Sequence, residues 1–138
     1  MWYFFGMPAI HQINTESGII TTTWEGDVTD AEIIEAIKNY QEDIISKPEY
    51  YNYNEVVNFA NVAGVKVTAN GLMDLAKQAI KTEQPGIYTK LAIIVNSGLA
   101  YSFANLYATY RKFIQNSNKE VQVFRNEEDA LDWVSNNT

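Results

Sequence analysis

The stretch Leu91-Ala92-Ile93-Ile94-Val95 is a continuous apolar run of the length of a β-strand. A strand with one face in solvent alternates apolar and polar residues, so a continuous run indicates a strand that is covered on both faces. Both faces are covered when helices connect the strands of a mostly parallel sheet. The run therefore predicts an α/β fold with this strand at the centre of the sheet.

On the N-terminal side, the chain predicts a hairpin followed by a helix. Residues 9–14 and 19–25 are apolar or β-branched and are separated by a short polar segment that ends in Gly18, which is typical of two antiparallel strands joined by a turn. Thr29 stands three residues before Glu32, the spacing of a capping box. Apolar residues then recur with helical spacing until a proline ends the helix.

The rest of the chain alternates strands and helices. Residues 55–59 read as a third strand, and Thr68 is placed to cap the second helix, with a loop at 60–68 between them. After the central strand, a third helix is predicted from an apolar stripe made of Leu99, Phe103, Leu106, Tyr107, Tyr110 and Phe113. Residues 121–124 predict the last strand, and Asn126 is placed to cap the last helix.

The resulting order is ββαβαβαβα in one domain that spans residues 1–138. Strands that alternate with helices imply right-handed crossovers and a mixed, mostly parallel sheet, in which the N-terminal hairpin is the antiparallel part. Ligands of such sheets bind beyond the carboxyl ends of the strands. The two loops expected at that edge are residues 60–68 and 96–98.

Composition excludes several classes of function. The formal net charge of -7 opposes binding to nucleic acid or to anionic lipid, because such binding depends on cationic side chains. The chain has no cysteine, which excludes disulfides, thiolate catalysis and cysteine-ligated zinc, and favours a cytoplasmic location. No cofactor motif is found, and no segment suggests a membrane span.

The N-terminal segment carries Trp2, Phe4 and Phe5 in close succession. A contiguous aromatic cluster of this kind usually finds a partner surface. Two interpretations remain open, a strand or arm that covers the domain's own core and a contact surface in a homodimer.

Three segments in this order resemble the SpoIIAA-like family of small, STAS-related bacterial proteins. They are Gly26-Asp27-Val28-Thr29 before the first helix, the central strand from Lys90 to Val95, and the C-terminal segment from Val123 to Val134. The resemblance implies the same mixed sheet with helices. STAS domains that act as anti-sigma antagonists bind protein partners and are switched by phosphorylation, whereas the SpoIIAA-like branch resembles lipid-carrier domains in fold.

The residues that match the phosphorylation site of the antagonists are Thr68-Ala69-Asn70-Gly71. Ala69 stands where those proteins have the phosphorylated serine, and a methyl side chain cannot accept a phosphoryl group. The hydroxyl of Thr68 lies one residue earlier and is interpreted as a helix cap. The resemblance therefore implies a chain without the usual phosphorylatable serine.

Catalytic and metal-binding constellations are not found in the sequence. His11 is the only histidine, and it has no acid or nucleophile at motif spacing, so it is interpreted as an ordinary core or surface residue. Ser97-Gly98 lacks the first glycine of a nucleophile elbow and is interpreted as a turn. The acidic residues do not have the spacing of a calcium loop. We expect neither an enzyme nor a metal site.

Two functional hypotheses follow, with an enzyme of unknown type as a distant third. The first is a noncatalytic STAS-like module that acts through protein contacts. The second is a domain that binds a small apolar ligand or a lipid between its helices and its sheet, because tyrosine suits the wall of an apolar pocket. The candidate binding residues for either hypothesis are Asn61, Thr68, Asn70, Asn96, Ser97, Tyr101, Phe103 and Tyr107.

Overall fold

A computed structural model describes residues 9–114 and 117–136 of the chain. The strands are β1 (Ala9–Asn14), β2 (Ile19–Thr29), β3 (Asn54–Lys66), β4 (Thr89–Ile94) and β5 (Lys119–Phe124). The α-helices are α1 (Asp30–Tyr40), α2 (Ala69–Ala79), α3 (Gly98–Phe113) and α4 (Glu127–Ser135). Short π and 3-10 turns follow α1 and α2. The predicted order of strands and helices is confirmed.

The five strands form one sheet in the order β1-β2-β3-β4-β5. β1 pairs with β2 in antiparallel fashion, and the other neighbours are parallel. Helices α1, α2 and α3 contact one another in sequence and pack over the same core cluster on one face of the sheet. Helix α4 covers the other face, against β3, β4 and β5. None of the helices within residues 9–114 and 117–136 is long and apolar enough to cross a membrane.

The predicted central strand is buried for the expected reason, but it is not the middle strand. β4 has helices on both faces and a parallel neighbour on each side, so almost all of its residues are buried. The middle position belongs to β3. A continuous apolar run reports coverage of the two faces and carries no information on how many strands lie on each side.

The predicted loop at residues 60–68 is wrong, because most of it belongs to β3. The strand continues to Lys66, and its second half pairs with an extension of β2 that runs to Thr29. Two register shifts interrupt this pairing, and Gly26 next to one of them has φ +74, a conformation that favours glycine. β2 and β3 therefore stay paired on both sides of these register shifts, as far as Thr29 and Lys66.

The predicted start of the first helix is confirmed, and it has a local explanation. The Thr29 hydroxyl accepts from the Glu32 backbone N–H at 3.3 Å, and the Glu32 carboxylate accepts from the Thr29 N–H at 3.2 Å, so the predicted capping box is present. At the other end the helix passes into a π turn at Gln41–Ile45 before Pro48.

The predicted apolar stripe of α3 is wrong at its two ends. Leu99 is 57% exposed and Phe113 is 78% exposed. The residues that the helix buries are Tyr107 of the predicted stripe together with Ala100, Ala104 and Arg111; in chain order the four are spaced by four, three and four residues. Two alanines and an arginine, which add little to a hydrophobic pattern, thus share the buried face with Tyr107.

Trp2, Phe4 and Phe5 lie outside the described residues. Their proposed roles, in covering the core or in forming a homodimer, remain predictions.

Candidate functional site

A cavity of about 170 Å³ lies between the sheet and helices α1, α2 and α3. Its walls come from the face of the sheet that these helices cover and from the small buried residues of the helices, among them Ala36, Ala100 and Ala104. Side chains of this size leave space between a helix and a sheet that a leucine or phenylalanine would fill. The cavity therefore follows from the alanines of the buried helix faces.

The end of the cavity toward the carboxyl ends of the strands is apolar. Trp24 of β2 stacks on Phe59 of β3, with ring centroids 5.8 Å apart, and both line the cavity. Val28, Val65 and Val95 extend the same apolar wall. This end offers contact area and dispersion attraction without any polar group that would fix the orientation of a ligand.

The opposite end, at the amino ends of the strands, holds charged side chains. Glu55 accepts hydrogen bonds from the Tyr40 hydroxyl at 2.7 Å and forms an ion pair with the Lys119 Nζ at 3.1 Å. Burial opposes ionisation of Glu55, but the charge of Lys119 and the hydrogen bonds from Tyr40 and Lys119 outweigh it and hold the pKa below its usual range. Glu55 is therefore an ionised carboxylate inside the fold.

A second ion pair lies beside the first. The Nη2 atom of Arg111 is 3.3 Å from Oε1 of Glu83, and Nη1 donates to the Tyr107 hydroxyl at 2.9 Å. The same Oε1 atom accepts from the Asn118 backbone N–H at 2.8 Å and from Ser117 Oγ at 3.3 Å. Three polar atoms of this pair have no hydrogen-bond partner among the described residues: Nε and Nη2 of Arg111 and Oε2 of Glu83.

His11 lies in the same cavity and is 7% exposed. Its Nδ1 is 2.6 Å from the Thr22 hydroxyl, and its ring is tilted against Tyr40 at a centroid distance of 5.0 Å. Burial lowers the pKa of His11 below its usual value of 6.5, although the negative charges of Glu55 and Asp43 oppose that change. The imidazole is therefore neutral at pH 7, in line with its interpretation as a core residue.

Acidification should destabilise the protein through this histidine. Because the folded pKa lies below 6.5, the unfolded chain binds more protons, and stability falls as the pH drops below 6.5 with a slope of at most about 1.4 kcal/mol per pH unit. His11→Asn, which keeps a polar atom near Thr22, should remove this slope. Urea unfolding between pH 7 and pH 5 measures it, and an unchanged slope in the variant would contradict the assignment.

Of the predicted binding residues, only Phe103 and Tyr107 line this cavity. The other six lie at or near the carboxyl ends of the strands, where four of them have structural contacts: Thr68, Asn96, Ser97 and Tyr101. Asn96 donates to the Ala60 carbonyl at 2.7 Å, Ser97 caps α3, and the guanidinium of Arg125 lies 4.1 Å from the ring centroid of Tyr101. Asn61 and Asn70 are exposed. A binding role for the six stays a prediction.

Thr68 occupies the start of α2 as a cap. Its hydroxyl accepts from the Gly71 N–H at 3.0 Å and donates to Asp30 Oδ2 at 2.7 Å, while the Asp30 carboxylate also accepts from the Thr68 N–H. The hydroxyl thus joins the starts of α1 and α2.

Thr68→Ala should lower the free energy of unfolding by about 1 kcal/mol, because it removes the cap. Thr68→Ser keeps the hydroxyl and should be close to neutral. Chemical denaturation of the two variants beside the parent compares them directly. Equal stability of all three proteins would show that the hydroxyl has no capping role in solution.

The polar and charged residues at the amino end of the cavity were not identified as site residues from the sequence. These are Tyr40, Glu55, Glu83, Arg111 and Lys119. A signal was nevertheless present. Arg111 follows Tyr107 by four residues and so falls on the buried face of α3. Glu55 and Lys119 lie two residues before Val57 and Val121, and so on the same face of the sheet as these core valines. A charged residue at a position whose periodicity faces the core needs a buried partner.

Comparisons with known proteins agree with this architecture. The family model described as SpoIIAA-like matches residues 19–135. No curated protein matches the chain. A crystal structure of an uncharacterized protein from the DUF3478 family with a SpoIIAA-like fold, from Shewanella loihica PV-4, is 14% identical. Its TM-score is 0.57, and the match covers 97% of this chain and 98% of that one, which shows the shared fold. Since the family match extends over most of the chain, the protein belongs to the SpoIIAA-like family.

Proposed function

We propose that this protein is a noncatalytic domain that binds a small apolar ligand in the cavity between its sheet and helices α1, α2 and α3. The observation that supports the proposal is the cavity itself, with apolar walls over most of its surface and convergent polar groups at one end. Sites for small molecules have this composition, because apolar walls provide affinity and a few polar groups provide orientation.

The volume of the cavity sets the size of the ligand. An engineered protein cavity of roughly 150 Å³ binds benzene, whereas pockets for drug-sized ligands run from roughly 300 to 1,000 Å³. At about 170 Å³, this cavity fits one aromatic ring with a short substituent. Between the two ligands of the sequence-based hypothesis, the volume favours a small apolar molecule over a long-chain lipid.

A binding role fits the side chains better than a catalytic one. The described residues that line the cavity include no serine. The carboxylates of Glu55 and Glu83 are held in ion pairs, and the imidazole of His11 contacts a threonine hydroxyl. An activated hydroxyl also needs a third group that orients the base, and Nε2 of His11 has no hydrogen-bond partner among the described residues. Action through protein contacts, the other hypothesis from the sequence, stays a prediction.

Filling the cavity should abolish binding. Ala104 is buried on α3 and lines the cavity, so Ala104→Leu places three additional carbons in the space of the ligand. Wild-type protein should melt at a higher temperature in saturating toluene, because a ligand that binds only the folded state stabilises it. The variant should show no such increase.

Ser102→Leu is the matched control, since Ser102 lies on the exposed face of the same helix. It should retain the full increase in melting temperature. A wild-type protein whose melting temperature does not respond to toluene, benzamide or another one-ring compound would contradict the proposed function.

A further inference from the structure

Four buried polar atoms that lack a hydrogen bond among the described residues belong to side chains lining the cavity: Nε and Nη2 of Arg111, Oε2 of Glu83 and Nε2 of His11. Arg111 is 2% exposed, and its Nε and Nη2 atoms form no hydrogen bond with the described residues, although Nη2 lies 3.3 Å from Oε1 of Glu83 in the ion pair. Nε and Nη2 form the edge of a guanidinium that binds planar acceptors with two parallel hydrogen bonds. Oε2 of Glu83, the unpartnered acceptor, belongs to the carboxylate whose Oε1 lies 3.3 Å from Nη2. The ion pair therefore offers two donors and one acceptor to a small head group in the cavity.

The charges around this ion pair decide what kind of head group fits. Arg111 and Lys119 are cationic, and Glu55 and Glu83 are anionic, with one ion pair between each cation and its acid. His11 is neutral at pH 7, because burial lowers its pKa. The buried charges balance, so an anionic ligand would leave one uncompensated negative charge where burial makes such a charge costly.

We propose that the ligand is a one-ring apolar compound with an uncharged head group that accepts hydrogen bonds from Arg111 and donates one to Glu83. A primary amide has this pattern, since its carbonyl oxygen faces the guanidinium edge and its N–H faces the carboxylate oxygen. This inference rests on the proposed function and adds to it the chemistry of the head group. The apolar ring then lies against the part of the apolar cavity wall that adjoins this polar end.

Four one-ring probes separate the contributions of the ring and of the head group. Benzamide offers the acceptor and the donor, N,N-dimethylbenzamide offers the acceptor alone, benzoate offers a charged acceptor, and toluene offers the ring alone. In isothermal titration calorimetry at pH 7, benzamide should bind at least about tenfold more tightly than each of the other three, because hydrogen bonds to charged groups contribute most where they are buried.

Glu83→Gln should shift the selectivity of the cavity from benzamide towards benzoate. The substitution removes one negative charge and leaves the four side chains with a net positive charge. The ratio of the affinity for benzoate to the affinity for benzamide should therefore be at least about tenfold higher in the variant than in wild type. Glu49→Gln makes the same chemical change at an exposed position outside the cavity and should keep the wild-type order of the probes.

The outcomes distinguish the two proposals. If toluene binds and benzamide binds no more tightly, or benzoate binds as tightly as benzamide, the head-group inference is overturned while the proposed function stands. If none of the four probes binds, both are overturned. If wild-type protein binds benzamide at least about tenfold more tightly than the other three probes, the head-group inference is supported. This comparison uses wild-type protein alone, so it remains decisive even if Glu83→Gln does not fold.

Discussion

Replacing Arg111 by methionine should lower the free energy of unfolding by about 3–5 kcal/mol at pH 7, the usual effect of removing one partner from a buried ion pair. Arg111 is almost fully buried, and the side chain of Glu83 is 9% exposed. Methionine fills a similar space, so the loss comes from the negative charge left at Glu83 and from the Tyr107 hydroxyl, which loses its contact. Urea unfolding monitored by circular dichroism measures the change.

A double-mutant cycle with Glu83→Gln isolates the pair from the rest of the fold. Glutamine keeps an oxygen that can accept from the Asn118 N–H and Ser117, but it carries no charge. Arg111→Met with Glu83→Gln should therefore be more stable than the sum of the two single variants predicts. Additive losses would show that the two side chains do not interact energetically, in spite of their 3.3 Å separation.

Lys119→Met should cost about 3 kcal/mol at pH 7, because it leaves the buried carboxylate of Glu55 without its cation. The difference in unfolding free energy between this variant and wild type should become smaller as the pH falls. In wild type the folded pKa of Glu55 lies below its ordinary value of 4.5, so its contribution is present above that value and is lost as the pH drops through the folded pKa. In the variant, burial without Lys119 favours the neutral acid, which protonates earlier and relieves the buried charge.

Chemical denaturation at pH 7, 5 and 4 tests this second prediction. Lys112→Met is the control, since Lys112 is exposed on the last turn of α3, and surface substitutions of this kind usually change stability by less than about 0.5 kcal/mol. A stability difference between Lys119→Met and wild type that stays constant from pH 7 to pH 4 would contradict the assigned role of Glu55.

Features that depend on residues close together in the sequence were predicted correctly, whereas the ion pairs were not. Local signals were read correctly: the capping box at Thr29, the caps at Thr68 and Asn126, and the hairpin turn at Gly18 all depend on residues within a few positions of one another. Interactions of that range are encoded in spacing alone. The prediction of a mostly parallel sheet needed one further rule, that strands alternating with helices are joined by right-handed crossovers.

The length of β3 and the buried face of α3 were misread because both depend on partners that are distant in the sequence. Residues 60–66 continue as a strand since β2 lies beside them, not because of their own pattern. On α3, two alanines and an arginine share the buried face with Tyr107. Alanine and arginine contribute little to a hydrophobic periodicity, so the pattern did not identify them as buried.

By itself, the sequence determined the α/β class, the order of the strands and helices and the family resemblance, because periodicity, capping and turn residues act locally. Only the tertiary structure decided that the alanines of three helices leave a cavity against the sheet, and that Glu55, Glu83, Arg111 and Lys119 meet at one end of it. Glu83 and Arg111 are separated by 28 positions and Glu55 and Lys119 by 64. Such charges pair inside a protein only when the packing of the elements that carry them removes them from water together.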